Sequence, residues 1–195
     1  MTTAFVLGNG VSRQHVPFAQ LQAHGTTYGC NALYREHTPN VLVATDRPIA
    51  TAIQESGYSQ QHVFYTRRPL PGLGANTVPK PYFGYSSGPI AVSLAAQAGH
   101  NMIYLLGFDM GGTAHNTINN LYAGTEFYKA ITAAPTYTGN WLKQLIRIMG
   151  DYKNTQFVRV CGVGTAAVPE LEAVSNLQKL DLGLFLARIN TLKDI

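Results

Sequence analysis

Residues 4–10 read Ala-Phe-Val-Leu-Gly-Asn-Gly, an apolar run that stops in a glycine turn, and two later runs stop similarly, in Gly29-Cys30-Asn31 and Ala44-Thr45-Asp46. Runs this short are long enough for buried strands and too short for helices. The same pattern predicts strands over 3–7, 27–30, 41–44, 62–65, 102–106 and 156–160, each bounded by Gly, Asn, Asp or Pro. Helical spacing falls between them. It covers 18–23, then 49–56 behind Asp46 and Pro48 as cap and first turn. It also covers 90–98, opened by Ser87-Gly88-Pro89 and closed by Gly99, and 139–149, with Trp141, Leu142, Leu145, Ile146 and Met149 on one face. Strands alternating with helices predict an α/β fold: a Rossmann-like, mainly parallel sheet with helices on both faces.

The length of 195 residues suits one domain, with 46% hydrophobic and only 12% charged residues. Residues 66–86 and 110–138 are long, Gly/Pro- or Gly/Asn/Tyr-rich connections, which predicts functional loops, the second a lid-like insertion. Leu171, Val174, Leu177, Leu180, Leu184 and Ile189 give residues 168–195 a helical spacing and predict a C-terminal helical tail. The net charge of +4 is spread out, with no cluster beyond Arg67-Arg68, so nucleic acid is not an expected partner. Cys30 and Cys161 lack metal or redox spacing and are expected as buried free thiols. No apolar run approaches the ~18 residues of a membrane span and no leader-like segment opens the chain, so the expected location is the cytoplasm.

In a parallel sheet, ligands bind beyond the carboxyl ends of the strands. Gly8, Asn9, Gly10 and Ser12 could form an anion cradle there. The glycines would supply positive φ and close approach, and Asn9 a donor to phosphate or ribose. An ordinary strand-to-helix turn is the alternative. Ser87 and Gly88 supply a hydroxyl and free N–H groups at a helix start, or form a plain N-cap. Asp46 and Asp109, at strand ends, are either ligand-facing carboxylates or caps of the next turn. The turn lacks the Gly-Lys-Ser/Thr of a phosphate loop, no Gly-x-Ser-x-Gly elbow exists, and no histidine has metal-ligand spacing. No metal site is therefore expected. His15 and His115 sit in loops after strand-end motifs, either as solvated side chains or as a general base.

Taken in order, Gly8-Asn9-Gly10-x-Ser12, Gly29-Cys30-Asn31-Ala32-Leu33-Tyr34, Ser86-Ser87-Gly88 and the segment Ala98 to Asp109 form a recognisable set. The chain resembles the single-domain bacterial CMP-sialic acid sialyltransferases and the related motility-accessory-factor and 6-hydroxymethylpterin pyrophosphokinase-like proteins. The match spans residues 4–110, with a weaker stretch over 137–161. The resemblance implies that Asn9 and Asn31 contact the phosphate and ribose of a nucleotide. It implies that Ser87 and Gly88 face the nucleotide or the sugar carboxylate, and that Asp109 closes the site beneath the insertion. Tyr122, Tyr128 and Tyr137 would bind phosphate as lid tyrosines. The chain departs from these families at three places. Val11 replaces their proline, Tyr82-Phe83-Gly84-Tyr85 stands where the sialyltransferases carry an arginine, and residues 135–140 lack their lid histidine. By elimination His115 is the expected base, with Asp109 beside it in the catalytic pair.

The expected function is therefore a sialyltransferase-like glycosyltransferase taking a nucleotide-activated small-molecule donor of the CMP type, with no cofactor required. One alternative is a Mg-dependent pyrophosphokinase-like phosphotransfer with Asp46 or Asp109 on the metal. The other is a non-catalytic structural or binding protein that kept the fold, as a homo-oligomer or within a larger assembly.

Overall fold

A computed structural model describes residues 2–191. The chain runs β1 (Thr3–Leu7), α1 (Phe18–His24), β2 (Thr26–Cys30), β3 (Val41–Val43), α2 (Arg47–Glu55), α3 (Tyr58–Gln61), β4 (Phe64–Thr66) and β5 (Asn76–Thr77). It continues with α4 (Ser87–Gln97), β6 (Met102–Leu106), α5 (Gly139–Asp151), β7 (Gln156–Cys161), α6 (Pro169–Glu172), β8 (Leu177–Asp181) and α7 (Leu182–Thr191). All eight strands form one parallel sheet in the order β5-β4-β3-β2-β1-β6-β7-β8. The chain winds outward from β1 to β5, returns across the sheet, and winds outward again from β6. The reversal between β1 and β6 is the topological switch point.

Strand periodicity divides the core between the two faces. Ala4 and Val6 of β1 pack with α4 and α5, while Phe5 and Leu7 pack with α1 and α7 on the other side. On that second face Phe5 stacks on Tyr104 at 5.4 Å, and both meet Phe185 of α7. Helix α4 has no solvent face over most of its length: Pro89 to Ala96 are all buried. Its alanines let it lie close to the sheet, and Leu145, Ile148 and Met149 of α5 cover its outer side. Among the described residues, no helix is long and apolar enough to cross a membrane.

Two elements depart from the sequence pattern. The predicted helical tail is interrupted: residues 177–181 form β8, paired with β7 from Phe157↔Leu177 to Cys161↔Asp181. Leu177 and Leu180 are buried while Gln178 and Lys179 are exposed, so a three-residue apolar spacing fits a twisted edge strand as well as a helix. The open edge of β7 supplies hydrogen bonds that a helix there would leave unmade. Strand β5 is two residues long, with both side chains exposed, and carries no apolar signal. Residues 192–195 of the predicted tail lie outside the described residues.

Candidate functional site

Beyond their last residues, β1 and β6 stay in register for a few residues more. The Gly8 N–H donates to the Leu106 carbonyl at 2.8 Å and the Gly10 N–H to Gly107 at 2.9 Å. A Cβ on Gly8 would lie 2.7 Å from the Gly107 carbonyl oxygen, and one on Gly10 2.4 Å from Asp109 Oδ2. Gly10 has φ −64° and Gly8 is not in the positive-φ region, so both glycines serve close approach rather than an unusual backbone. Gly107, at φ +70°, is the residue of this corner that needs a glycine backbone.

Asp109 fastens the corner. One carboxylate oxygen accepts the Ser12 N–H at 3.0 Å; the other accepts the Ser12 hydroxyl and the Thr165 hydroxyl, the latter at 3.1 Å. Its own carbonyl, with that of Phe108, accepts from the guanidinium of Arg159, which is fully buried on β7. Arg159 Nη1 lies 3.9 Å from Glu172, a coulombic contact too long for a hydrogen bond. A second buried arginine, Arg13, backs the turn by donating to the Gly8 carbonyl, to Asn9 Oδ1 and to the Tyr122 hydroxyl at 3.2 Å. Tyr122 in turn donates to Glu36 at 3.2 Å, and burial pushes its phenol above the ordinary value, with Arg13 opposing.

The insertion, residues 110–138, has neither helix nor strand and is tied directly to the turn. Leu121 N–H donates to the Asn9 carbonyl at 2.8 Å, and Asn119 Oδ1 accepts the Val11 N–H at 2.8 Å. The Tyr128 hydroxyl accepts from the Ala32 N–H at 3.2 Å and from Asn9 Nδ2 at 3.5 Å, so one phenol bridges the two strand-end motifs. Arg35 reaches across to Thr125 and to the Glu126 carbonyl.

These pieces enclose a cavity of about 310 Å³ at the switch point, at the lower end of the roughly 300–1,000 Å³ typical of small-ligand sites. Gly8, Asn9, Gly10, Asn31, Asp46, Ser87, Gly88 and Asp109 line it together. Asn31 sits in the left-handed region at φ 53°, which Asn tolerates, and its Oδ1 is buried without a partner. The Ser87 hydroxyl is engaged, accepting the Thr45 N–H at 3.0 Å and lying 3.0 Å from the Thr45 hydroxyl. Pro89 has no N–H and the Ile90 N–H donates to the Ser86 carbonyl, so the Ser87 and Gly88 N–H groups are the open donors of this helix start, reinforced by the helix dipole. Asp46 occupies the N-cap position of α2, but its carboxylate makes no capping bond.

The other predicted site residues lie elsewhere. Ser12 is behind the turn, against Asp109, and Tyr122 is behind it with Arg13. His115 is exposed in the insertion and does not line the cavity; Tyr137 is 74% exposed and does not line it either. The cavity wall adds residues that the sequence did not single out: Thr45, Asn119, Asn120 and Trp141. Trp141 was hidden by its regular place in the apolar stripe of α5, whereas the adjacent amides Asn119-Asn120 were a polar signal inside the insertion. Arg13 and Arg159 stand alone in the sequence, and only burial reveals them as supports. Among the described residues, no group of three His, Cys, Asp or Glu side chains could hold a metal ion. With both Asp109 oxygens engaged, Asp46 is left as the lining carboxylate with open oxygens.

A parallel, doubly wound sheet with a glycine turn and a helix N-terminus facing its switch point defines the Rossmann-like class of α/β proteins. Solved structures of a sialyltransferase share this fold. The sialyltransferase CstII from Campylobacter jejuni, in complex with the substrate analogue cytidine-5'-monophosphate, aligns over 87% of each chain at 16% identity with a TM-score of 0.50. A Tyr-to-Phe variant of CST-II with CMP aligns over 86% of this chain and 89% of that one, at 13% identity and a TM-score of 0.53. CST-II with a trisaccharide acceptor and CMP aligns over 86% and 89%, at 14% identity and a TM-score of 0.51. Neither a protein-family model nor a curated protein sequence matches the chain.

Proposed function

We propose that this protein binds a nucleotide-activated sugar, of the CMP type, in the β1/β6 crevice and transfers its glycosyl group. The observation that carries the reading is convergence. The Gly8-Asn9-Gly10 turn, Asn31 and the Ser87-Gly88 start of α4 all line one cavity, in a fold shared with enzymes solved with CMP. Asn31 places a side-chain amide in the wall beside the turn. The first turn of α4 offers donors for the phosphate that leaves as the glycosidic bond breaks, and preorganised donors of this kind are the main source of such catalysis. The residues that hold the wall, Asp109, Arg159 and Arg13, position these groups without needing to touch the donor.

A second reading, nucleotide binding without transfer, is favoured by one observation: among the described residues, no histidine lines the cavity, and His115 is outside it. Calorimetric titration with CMP, UDP, GDP and ATP, with and without Mg²⁺, tests the shared core of both readings. CMP is expected to bind with Kd below about 1 mM, and Asn31→Ala to weaken it about tenfold, the loss of one buried hydrogen bond. No binding by any of the four at millimolar concentration would overturn both. Release of free sugar or glycoside from a bound donor separates transfer from binding alone.

A further inference from the structure

Transfer of a glycosyl group needs a destination for one proton. The acceptor oxygen attacks the anomeric carbon as the bond from that carbon to the phosphate oxygen breaks, and the attacking O–H gives its proton to a base. Among the described residues that line the cavity, few groups are able to take it. No histidine or lysine is among them. Burial pushes the Cys30 thiol up to about 12, so it stays protonated at neutral pH. Asp109 is 3% exposed, and its oxygens accept the Ser12 N–H and the hydroxyls of Ser12 and Thr165. Asp46 differs on each count. It lines the cavity, is exposed, makes no capping bond and forms no ion pair among the described residues.

Its place in the fold suits the task. Thr45, the residue before it, is pinned to the start of α4: its N–H donates to the Ser87 hydroxyl oxygen, and the two hydroxyls lie 3.0 Å apart. Asp46 therefore stands beside the open N–H groups of Ser87 and Gly88, which suit an anionic group. In an activated sugar that group is the phosphate or a carboxylate borne on the anomeric carbon. In both cases the carbon to be transferred is bonded to it, so the helix start sets that carbon on the Asp46 side whichever anion it holds. Arg47, the next residue, is exposed and in no ion pair among the described residues, and the start of α2 is uncapped. The same rim thus carries positive charge that draws an anionic donor in past the carboxylate. Exposure is itself required of the base, because the acceptor arrives from solvent.

We propose that Asp46 is the general base of the transfer. One carboxylate oxygen takes the proton of the acceptor hydroxyl, the acceptor oxygen forms the new bond to the anomeric carbon, and the electron pair of the broken bond leaves on the phosphate. A single displacement of this kind inverts the anomeric configuration. The proposal rests on the transfer reading above, and it assigns the proton to neither His115 nor Asp109.

The test measures turnover of CMP-N-acetylneuraminate and CMP-deaminoneuraminate, with lactose or water as acceptor, by wild type, Asp46→Asn and Asp46→Ala. Calorimetry with CMP on each protein reads the binding site independently. Both variants are expected to lose about 10²–10⁴-fold in kcat at saturating donor, with the Kd for CMP within about threefold of wild type. Sodium formate, a small carboxylate, should raise the rate of Asp46→Ala about tenfold or more, and the product should show inverted configuration by NMR. A kcat within about threefold of wild type in both variants overturns the proposal. So does a loss confined to KM, which makes Asp46 a binding residue, and so does retained configuration, which makes it a nucleophile. If wild type turns over neither donor, the transfer reading fails and this assignment with it; if wild type turns them over and Asp46→Ala keeps pace, only this assignment fails.

Discussion

Gly10 and Asp109 form one structural unit at the residue scale, since the hydrogen atom of the glycine is what lets the carboxylate lie against the turn. Gly10→Ala places a methyl group 2.4–2.5 Å from that carboxylate at a backbone conformation alanine otherwise accepts, so its cost is purely steric. We expect a loss of about 1–3 kcal/mol in urea-induced unfolding, together with weaker CMP binding. An unchanged midpoint would mean that Asp109 swings away freely. The thiols differ in a similarly checkable way. Cys30 is buried and desolvation pushes its pKa up to about 12; Cys161, half-buried, is raised too, with Arg159 opposing. Iodoacetamide at pH 8 should therefore label Cys161 well before Cys30 in the folded protein, read by peptide mass spectrometry.

At the scale of elements, the insertion is held by a few polar clamps rather than by secondary structure of its own. Tyr128 is the principal one, because its hydroxyl meets both the Asn9 and the Ala32 motifs. Tyr128→Phe keeps the ring and removes those bonds, about 1 kcal/mol of local stability. Proteolysis within residues 110–138 should then speed up about fivefold, with the global unfolding midpoint nearly unchanged. Equal cleavage rates would show that the remaining clamps suffice. Elements were also where the sequence was most legible. The ranges 3–7 and 102–106 coincide with β1 and β6, and α4 and α5 begin at the predicted Ser87 and Gly139. β1, β6 and α4 are continuous apolar runs that are largely buried, and α5 carries a regular apolar stripe that buries Leu145, Ile148 and Met149. β5 and β8 were not legible: one has no apolar residue, and the other has a spacing shared by helix and strand.

At the scale of the whole molecule, two histidines couple stability to pH. Burial lowers the pKa of His100, whose Nε2 lies 3.2 Å from the Tyr28 hydroxyl, and of His37, stacked on Phe18 at 4.4 Å. The unfolded chain protonates them near the ordinary value of 6.5, and the folded chain only at lower pH. Below that value the unfolded state binds more protons, so stability falls as pH drops through the lowered folded pKa values. Asp151 and Glu172 are held below their ordinary 3.8 and 4.5 by Arg147 and Lys179. The urea midpoint should therefore be lower at about pH 5 than at pH 7.5, and His100→Gln should flatten that dependence. By itself, the order of apolar runs and glycine turns determined the parallel α/β plan and brought Asn9, Asn31, Ser87 and Asp109 to one sheet edge, because period-two burial and turn chemistry are local properties. Only the tertiary structure decided which of those groups are open. Asp109 and the Ser87 hydroxyl are consumed by partners far along the chain, Asp46 and the Asn31 amide oxygen are not, and His115 lies outside the cavity, because hydrogen-bond satisfaction depends on contacts that no local spacing encodes.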